Sequence, residues 1–374
     1  MAQKKKKITF IIIIVVFIVY FLTAARPVPR EMILAPGWIS SIGTERISGN
    51  HTGLLPFTLG SNYGYVDSSG EFAVNKVKEN DIYLSRNMWT EYDAEPDNII
   101  INNIYTGLEI KIENAGGYPL LLDNRIFILG SDQNSLTEVD TGGNAVWSYD
   151  YSAPLTCIDA AAGYVVTGSL DGVLEVFNSR GERVFYFTPD GSRYSVILGC
   201  AISMDGSHIG IICGIEQQRF LLLERFGNED DFRVIYHEYM DDSFRRPVRV
   251  LFIDGDQSIV YERVGGIGCY NLRSRRAVNI PLKGEITAVD ESGYQGILFI
   301  ITASAGYSED APEKNLVGIR FTPDRFFGLF RTDPQDMVFL KAPFKSSDIF
   351  LGRTDSILVT GGGAVLISFS MEEK

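Results

Sequence analysis

The chain runs in short apolar bursts separated by small polar turns. From Val165 it reads VVTGSLDGVLEVFNSRGERVFYF. An apolar run stops at Gly168 and turns through Leu170-Asp171-Gly172. It resumes as VLEVF, turns through Asn178-Ser179-Arg180-Gly181, and runs again as RVFYF. Apolar and β-branched runs of this length, bounded by Gly, Asn and Asp, predict strands joined by tight turns. The same order recurs from Phe127 (FILGSDQNSLTEVDTGGNAVWSYD) and from Ser258 (SIVYERVGGIGCYNLRSRRAVNIPL), and more loosely from Ile209. Copies from Leu298 and Ile82 carry long inserts, and ILVTGGGAVLISFS near the end holds two of the three strands. A further short strand precedes the copies, as in Cys200–Ser207 and Val250–Gln257. Four strands per unit of about 40–50 residues is the signature of a β-propeller.

The expected fold is therefore all-β: one β-propeller of seven four-stranded blades, or alternatively eight, over residues 37–374. GWISSIGTERISGN near the start and the C-terminal strands are expected to complete one blade together. The first residues differ in pattern. Residues 8–25, ITFIIIIVVFIVYFLTAA, carry no charge and follow Lys4–Lys7. Eighteen residues at about 1.5 Å each reach roughly 27 Å, close to a bilayer core. The segment reads as a transmembrane signal-anchor helix. The lysines of the 1–7 tip stay in the cytoplasm and the rest crosses, with residues 26–36 as a tether. The expected location is the cytoplasmic membrane, single-pass, with the propeller periplasmic or extracellular. The alternative is a signal peptide cut near Ala25, at Thr23-Ala24-Ala25, with a secreted product.

Charge and side-chain chemistry narrow the function. Acidic residues outnumber basic ones by 47 to 34, and four of the bases precede the apolar run. No nucleic-acid partner is expected from so acidic a chain. Cys157, Cys200, Cys213 and Cys269 sit in apolar strands without a C-x-x-C pair, so they read as buried small hydrophobes. Cys200 and Cys213 flank the Asp205-Gly206 turn, where Cys200 faces about Ile211 and Cys213 about Leu198. An oxidising compartment would allow a bond between them. His51, His208 and His237 share no metal-ligand spacing. No catalytic residue, metal site or cofactor is expected. Arg245, Arg246 and Arg249 fall at one end of their blade and Arg273, Arg275 and Arg276 at the other, which reads as two solvated loops.

VTGSLDGVLEVFNSRGERVFYF and TEVDTGGNAVWSYD resemble the repeats of quinoprotein-like (PQQ-like) propellers, close in shape to WD-repeat proteins. The quinoprotein dehydrogenases of that family imply a quinone cofactor, calcium, a docking tryptophan on every blade and vicinal cysteines. This chain has Trp38, Trp89 and Trp147 only, of which Trp147 alone sits at the docking position, and no adjacent cysteines. That activity is not expected. In fold the chain is similar to the BamB-type envelope propellers, departing from them in its apolar N-terminal segment and in lacking a lipidated Cys. The resemblance implies a non-enzymatic scaffold for protein partners in a cell-envelope assembly. The alternative is a propeller that binds a small ligand, or acts on one, in its central funnel.

Two inserts are the candidate partner-binding loops. They are Trp89–Asp97, with Trp89, Glu91, Tyr92 and Asp93, and Ala305–Lys314, with Tyr307, Glu309 and Asp310. Both are read as the turn between the second and third strands of a blade. Both mix aromatic and acidic residues, and loops on a rigid scaffold commonly carry binding sites.

Overall fold

Each apolar burst ends where the backbone must turn sharply, and one turn recurs. In Asp67–Glu71, Asp140–Asn144 and Asn178–Glu182 the first side chain accepts hydrogen bonds from the amides two and four residues on. The fourth residue is Gly70, Gly143 or Gly181, each at positive φ (88°, 84° and 75°). Glycine adopts this conformation without a Cβ penalty. The Asx side chain satisfies amides that a strand ladder would otherwise bind.

A computed structural model of the chain describes residues 10–20, 32–42, 53–227, 231–291, 296–303, 314–321, 338–344, 356–361 and 365–373. Its strands form eight sheets among these residues. Sheet 1 holds Leu55–Leu59, Asn62–Val66 and Phe72–Val77. Sheet 2 holds Asp81–Leu84, Met88–Tyr92, Ile99–Asn103 and Glu109–Ile112. Sheet 3 holds Gly117–Leu122, Arg125–Gly130, Ser135–Val139 and Ala145–Asp150. Sheet 4 holds Leu155–Ala161, Tyr164–Ser169, Leu174–Phe177 and Arg183–Phe187. Sheet 5 holds Ile197–Ile202, His208–Cys213, Arg219–Phe226 and Asp231–Tyr239. Sheet 6 holds Val250–Ile253, Ser258–Arg263, Gly266–Asn271 and Arg276–Pro281. Sheet 7 holds Glu285–Glu291, Ile297–Ala303, Lys314–Arg320 and Val338–Phe344. Sheet 8 has the order Met32–Ser41, Val365–Glu373, Ser356–Gly361. The six four-stranded sheets each run in sequence order, as propeller blades do.

Sequential sheets pack face to face through apolar clusters. Leu366 and Trp38 of sheet 8 meet Leu55, Phe57 and Leu59 of sheet 1. Tyr63 and Tyr65 of sheet 1 meet Trp89 of sheet 2. The pattern continues through sheets 2 and 3, 3 and 4, 4 and 5, 5 and 6 and 6 and 7. Both faces of a middle sheet are thus buried, which is why strands such as Ile197–Ile202 are buried throughout rather than alternating.

The pairing of the chain's two ends in sheet 8 is as the sequence led us to expect. The all-β propeller built of four-stranded blades is likewise as the sequence led us to expect. Residues 55–77 make a sheet of their own. The Tyr83 region also needs a correction. Asp81–Leu84 is the first strand of sheet 2 and Met88–Tyr92 the second, so Trp89, Glu91 and Tyr92 lie in a strand and only residues 93–98 form the loop.

The chain divides into two units, Pro36–Ser370 and a unit of Met1–Ala35 with Met371–Lys374. Within the second, residues 10–20 are helical, apolar and exposed. They span about 16 Å, roughly half of a bilayer's hydrocarbon core. No helix among the described residues is long and apolar enough to cross a membrane. The rest of 8–25 lies outside the described residues.

Candidate binding surface

In a four-stranded antiparallel blade, the turn between strands two and three and the linker to the next blade leave from the same face. That face therefore collects residues 93–98 of sheet 2 together with the linkers and turns of sheets 4 to 6.

At sheet 2 the expected anchors are occupied in structural work. Trp89 is only 8% exposed, with its ring 5.7 Å from that of Tyr63 and Lys76 Nζ 4.2 Å above it. Glu91 accepts a hydrogen bond from the Tyr63 hydroxyl (2.9 Å) and from the amides of Glu79 and Asn80 (2.7 and 2.8 Å). Burial pushes the Glu91 carboxyl up, but those donors and the charge of Lys76 outweigh it and hold it below the usual range. Tyr92 is half-buried, edge-on to Tyr118 at 6.3 Å. Asp93 alone of the four is exposed, at the start of the loop. Tyr307, Glu309 and Asp310 lie outside the described residues.

The same face across sheets 4 to 6 is a continuous hydrogen-bonded floor. The Leu170 amide donates to Pro154 O, tying the turn of sheet 4 to the preceding linker. The linker 188–196 is held down by Ser192, whose hydroxyl donates to Glu216 O (2.6 Å) and Tyr194 O (3.0 Å). Ile215 and Gly214 amides return bonds to Tyr194 O and Val196 O. Gln218, 1% exposed, is the next staple. Its amide group donates to Gly214 O and Phe244 O, and its oxygen accepts from the Phe244 amide. Arg246 then reaches Glu262 at 2.6 Å, and the Glu262 amide donates to Arg249 O. Arg249 also donates to Ile286 O and Thr287 O. Arg246 and Arg249 are therefore tied into the blade, in contrast to the solvated loop read from the sequence.

What this floor presents to solvent is apolar and aromatic, with arginine alongside. Leu170 is 54% exposed, Tyr194 48% and Val264 48%. Guanidinium carbons lie over rings at Arg193–Tyr194 (5.3 Å), Arg219–Tyr239 (5.7 Å) and Arg246–Phe244 (4.7 Å). Tyrosine, phenylalanine and arginine are enriched in protein interfaces, and rigid backbone lowers the entropy lost on docking. The sequence signal was present in SRYS and DDSFRRP, where an aromatic sits beside arginine in a linker.

Titratable groups elsewhere serve turns and sheet contacts. Asp159, on the first strand of sheet 4, accepts from the Ile202 amide of sheet 5 (2.8 Å) and the Ala160 amide. Burial outweighs these donors and raises its carboxyl to about 6, with Asp123 adding to the rise. Asp205 is held down at about 2. Burial opposes that shift, but the hydroxyls of Ser203 and Ser207 and the Ser207 amide prevail. Among the described residues, no group of three or more His, Cys, Asp or Glu is placed to hold a metal ion. The four cysteines are free thiols. In register, Cys200 lies opposite Ile211 and Cys213 opposite Ile197, so the Cys200–Cys213 pair considered from the sequence is not formed.

Comparison with known proteins agrees with this architecture. An uncharacterized protein of Treponema pallidum (strain Nichols) is 23% identical over 303 residues, covering 77% of this chain and 79% of its own. Among solved structures, BamB from Moraxella catarrhalis matches with a TM-score of 0.56 at 11% identity, over 90% of this chain and 100% of that one. The computationally designed Ika8 protein matches with a TM-score of 0.55 at 12% identity, over 88% and 100%. Identities this low speak for the fold alone, and a designed protein shares it as closely as a natural one. A family model described as a β-propeller protein matches residues 1–373, and the chain belongs to that β-propeller family.

Proposed function

We propose that this protein is a non-enzymatic docking platform for protein partners, held at the outer side of the cytoplasmic membrane by residues 8–25. The observation that carries the platform reading is the floor over sheets 4 to 6. It presents Leu170, Tyr194 and Val264 with arginines stacked on aromatic rings, over linkers fixed by Ser192 and Gln218. The uncharged run 8–25 behind Lys4–Lys7 supports the anchored location, and the resemblance to envelope propellers is in keeping with it.

The test is an affinity capture of detergent-solubilised full-length protein after mild crosslinking, beside a Leu170→Ala, Arg193→Ala, Tyr194→Ala variant. The three side chains project from turns and a linker, so the variant keeps the wild-type circular dichroism and urea midpoint. A stoichiometric protein partner recovered with the wild type and reduced at least tenfold with the variant is expected. A partner retained equally by both overturns the assignment to this face. No stoichiometric partner in either overturns the platform. Protease added to intact, outer-membrane-permeabilised cells is expected to digest the propeller; protection there overturns the location.

A further inference from the structure

Two of the four free thiols lie at a boundary between blades. The first strands of sheets 4 and 5 run side by side, tied at one place by the Thr156 hydroxyl donating to Ile197 O and at another by the Ile202 amide donating to Asp159 Oδ2. Cys157 and Cys200 fall between those ties, one on each strand, in the same apolar cluster. The Cys200 thiol reaches across this boundary, donating to Val166 O of sheet 4 at 3.7 Å. Gly168, opposite Cys157 in register, keeps this space open: a Cβ there would strike both Cys157 Sγ and Ile197. The other two cysteines have different surroundings. Cys213 lies opposite Ile197 with Arg219 beside it, and Cys269 is in sheet 6 near Ser258.

We propose that Cys157 and Cys200 form a disulfide that locks sheet 4 to sheet 5 when the protein meets an oxidising small-molecule disulfide. Cys157 is part-exposed and Cys200 buried, so the external reagent meets Cys157 first. The neighbouring Cys157 thiol and burial both raise the Cys200 thiol, which again makes Cys157 the first nucleophile. The Cys157 thiolate attacks one sulfur of the external disulfide and expels one thiolate. The Cys200 thiolate then attacks Cys157 Sγ of the mixed disulfide and expels the second. Both cysteine protons end on the two released thiols, and one disulfide is consumed for the one formed.

The experiment equilibrates the purified full chain with excess oxidised glutathione, or with dithiothreitol. Free thiols are counted and non-reduced peptides mapped by mass spectrometry. Expected are a fall from four free thiols to two and a peptide joining Cys157 to Cys200, absent from the Cys157→Ser variant. The oxidised wild type is also expected to unfold at a higher urea midpoint than the reduced one, a difference that Cys157→Ser abolishes. Four free thiols after equilibration, or a cross-link involving Cys213 or Cys269, overturns the pair. An equal or lower midpoint with the bond formed overturns the locking. The peptide map of the unsubstituted chain decides the pairing even if a variant folds poorly. None of these readouts depends on a protein partner, so this inference stands or falls apart from the docking function.

Discussion

Gly181 shows how much rests on a single hydrogen atom. Its φ of 75° suits glycine, and a Cβ would overlap the Trp147 ring of the preceding sheet. Gly181→Ala is expected to lower stability by about 2 kcal/mol or more, combining backbone strain with a forced shift of a packed ring. Gly265→Ala, at φ 77° with open space around it, meets only the first cost, about 1 kcal/mol. Urea denaturation of the two variants checks the difference. Two aspartates give opposite pH signatures. The Asp205 carboxyl is held low in the fold, so its contribution is complete above about pH 4 and is lost as pH falls towards 2. The Asp159 carboxyl is raised to about 6, so its folded form keeps a proton that the unfolded chain releases near 4. Stability therefore falls as pH rises from about 4 to 6. Asp159→Asn is expected to flatten that fall, and urea midpoints from pH 4 to 7 measure it.

At the level of strands, two of the three Asx-x-x-Gly turns described above pair with a tryptophan from the sheet before, while Gly143 packs on the Lys111 backbone. Trp147 lies on Gly181, and Trp38 lies on Gly70 with its indole nitrogen donating to Ser68 O. Trp38 therefore docks as Trp147 does. The sequence hid this because Trp38 acts from a strand that finds its sheet only at the far end of the chain. Trp147→Ala is expected to cost about 3–5 kcal/mol, read by chemical denaturation. Tyrosine–glutamate ties join sheets in the same way: Tyr63 to Glu91, Tyr149 to Glu175, and Tyr261 to Glu238. Strands with Gly or Asn at their ends, such as Leu174–Phe177, were legible in the sequence. Met88–Tyr92 was not. The turn before it, Ser85-Arg86-Asn87, has no glycine, and is closed instead by the Ser85 hydroxyl bonding Met88. Its Trp, Glu and Tyr looked like loop anchors, whereas burial against sheet 1 claims Trp89 and Glu91.

For the whole propeller, the repeat announced the architecture because each blade must bury both faces, and that demand writes apolar strands at a fixed period. The candidate face was harder to see. It is assembled from linkers of three blades, and its residues come together only through bonds such as Gln218 to Phe244. The closure of sheet 8 makes a further test. A chain starting at Met32 retains every described strand and is expected to keep the full-length urea midpoint. A chain starting at Gly43 lacks Met32–Ser41 and Trp38, exposing one side of Val365–Glu373 and the Gly70 turn, and is expected to unfold at lower urea by circular dichroism. Equal midpoints for the two would count against a stabilising role for that strand.

The same closure sets an order on synthesis. Met32–Ser41 is made well before its partner Val365–Glu373, with more than three hundred residues between them. A nascent chain can stack its middle blades as they emerge, yet it must carry one unpaired edge strand until Val365–Glu373 has been made. A prematurely terminated product cannot hide that edge. Synthesis through Val365–Glu373 is thereby converted into a visible folding state, on which proteases and chaperones can act.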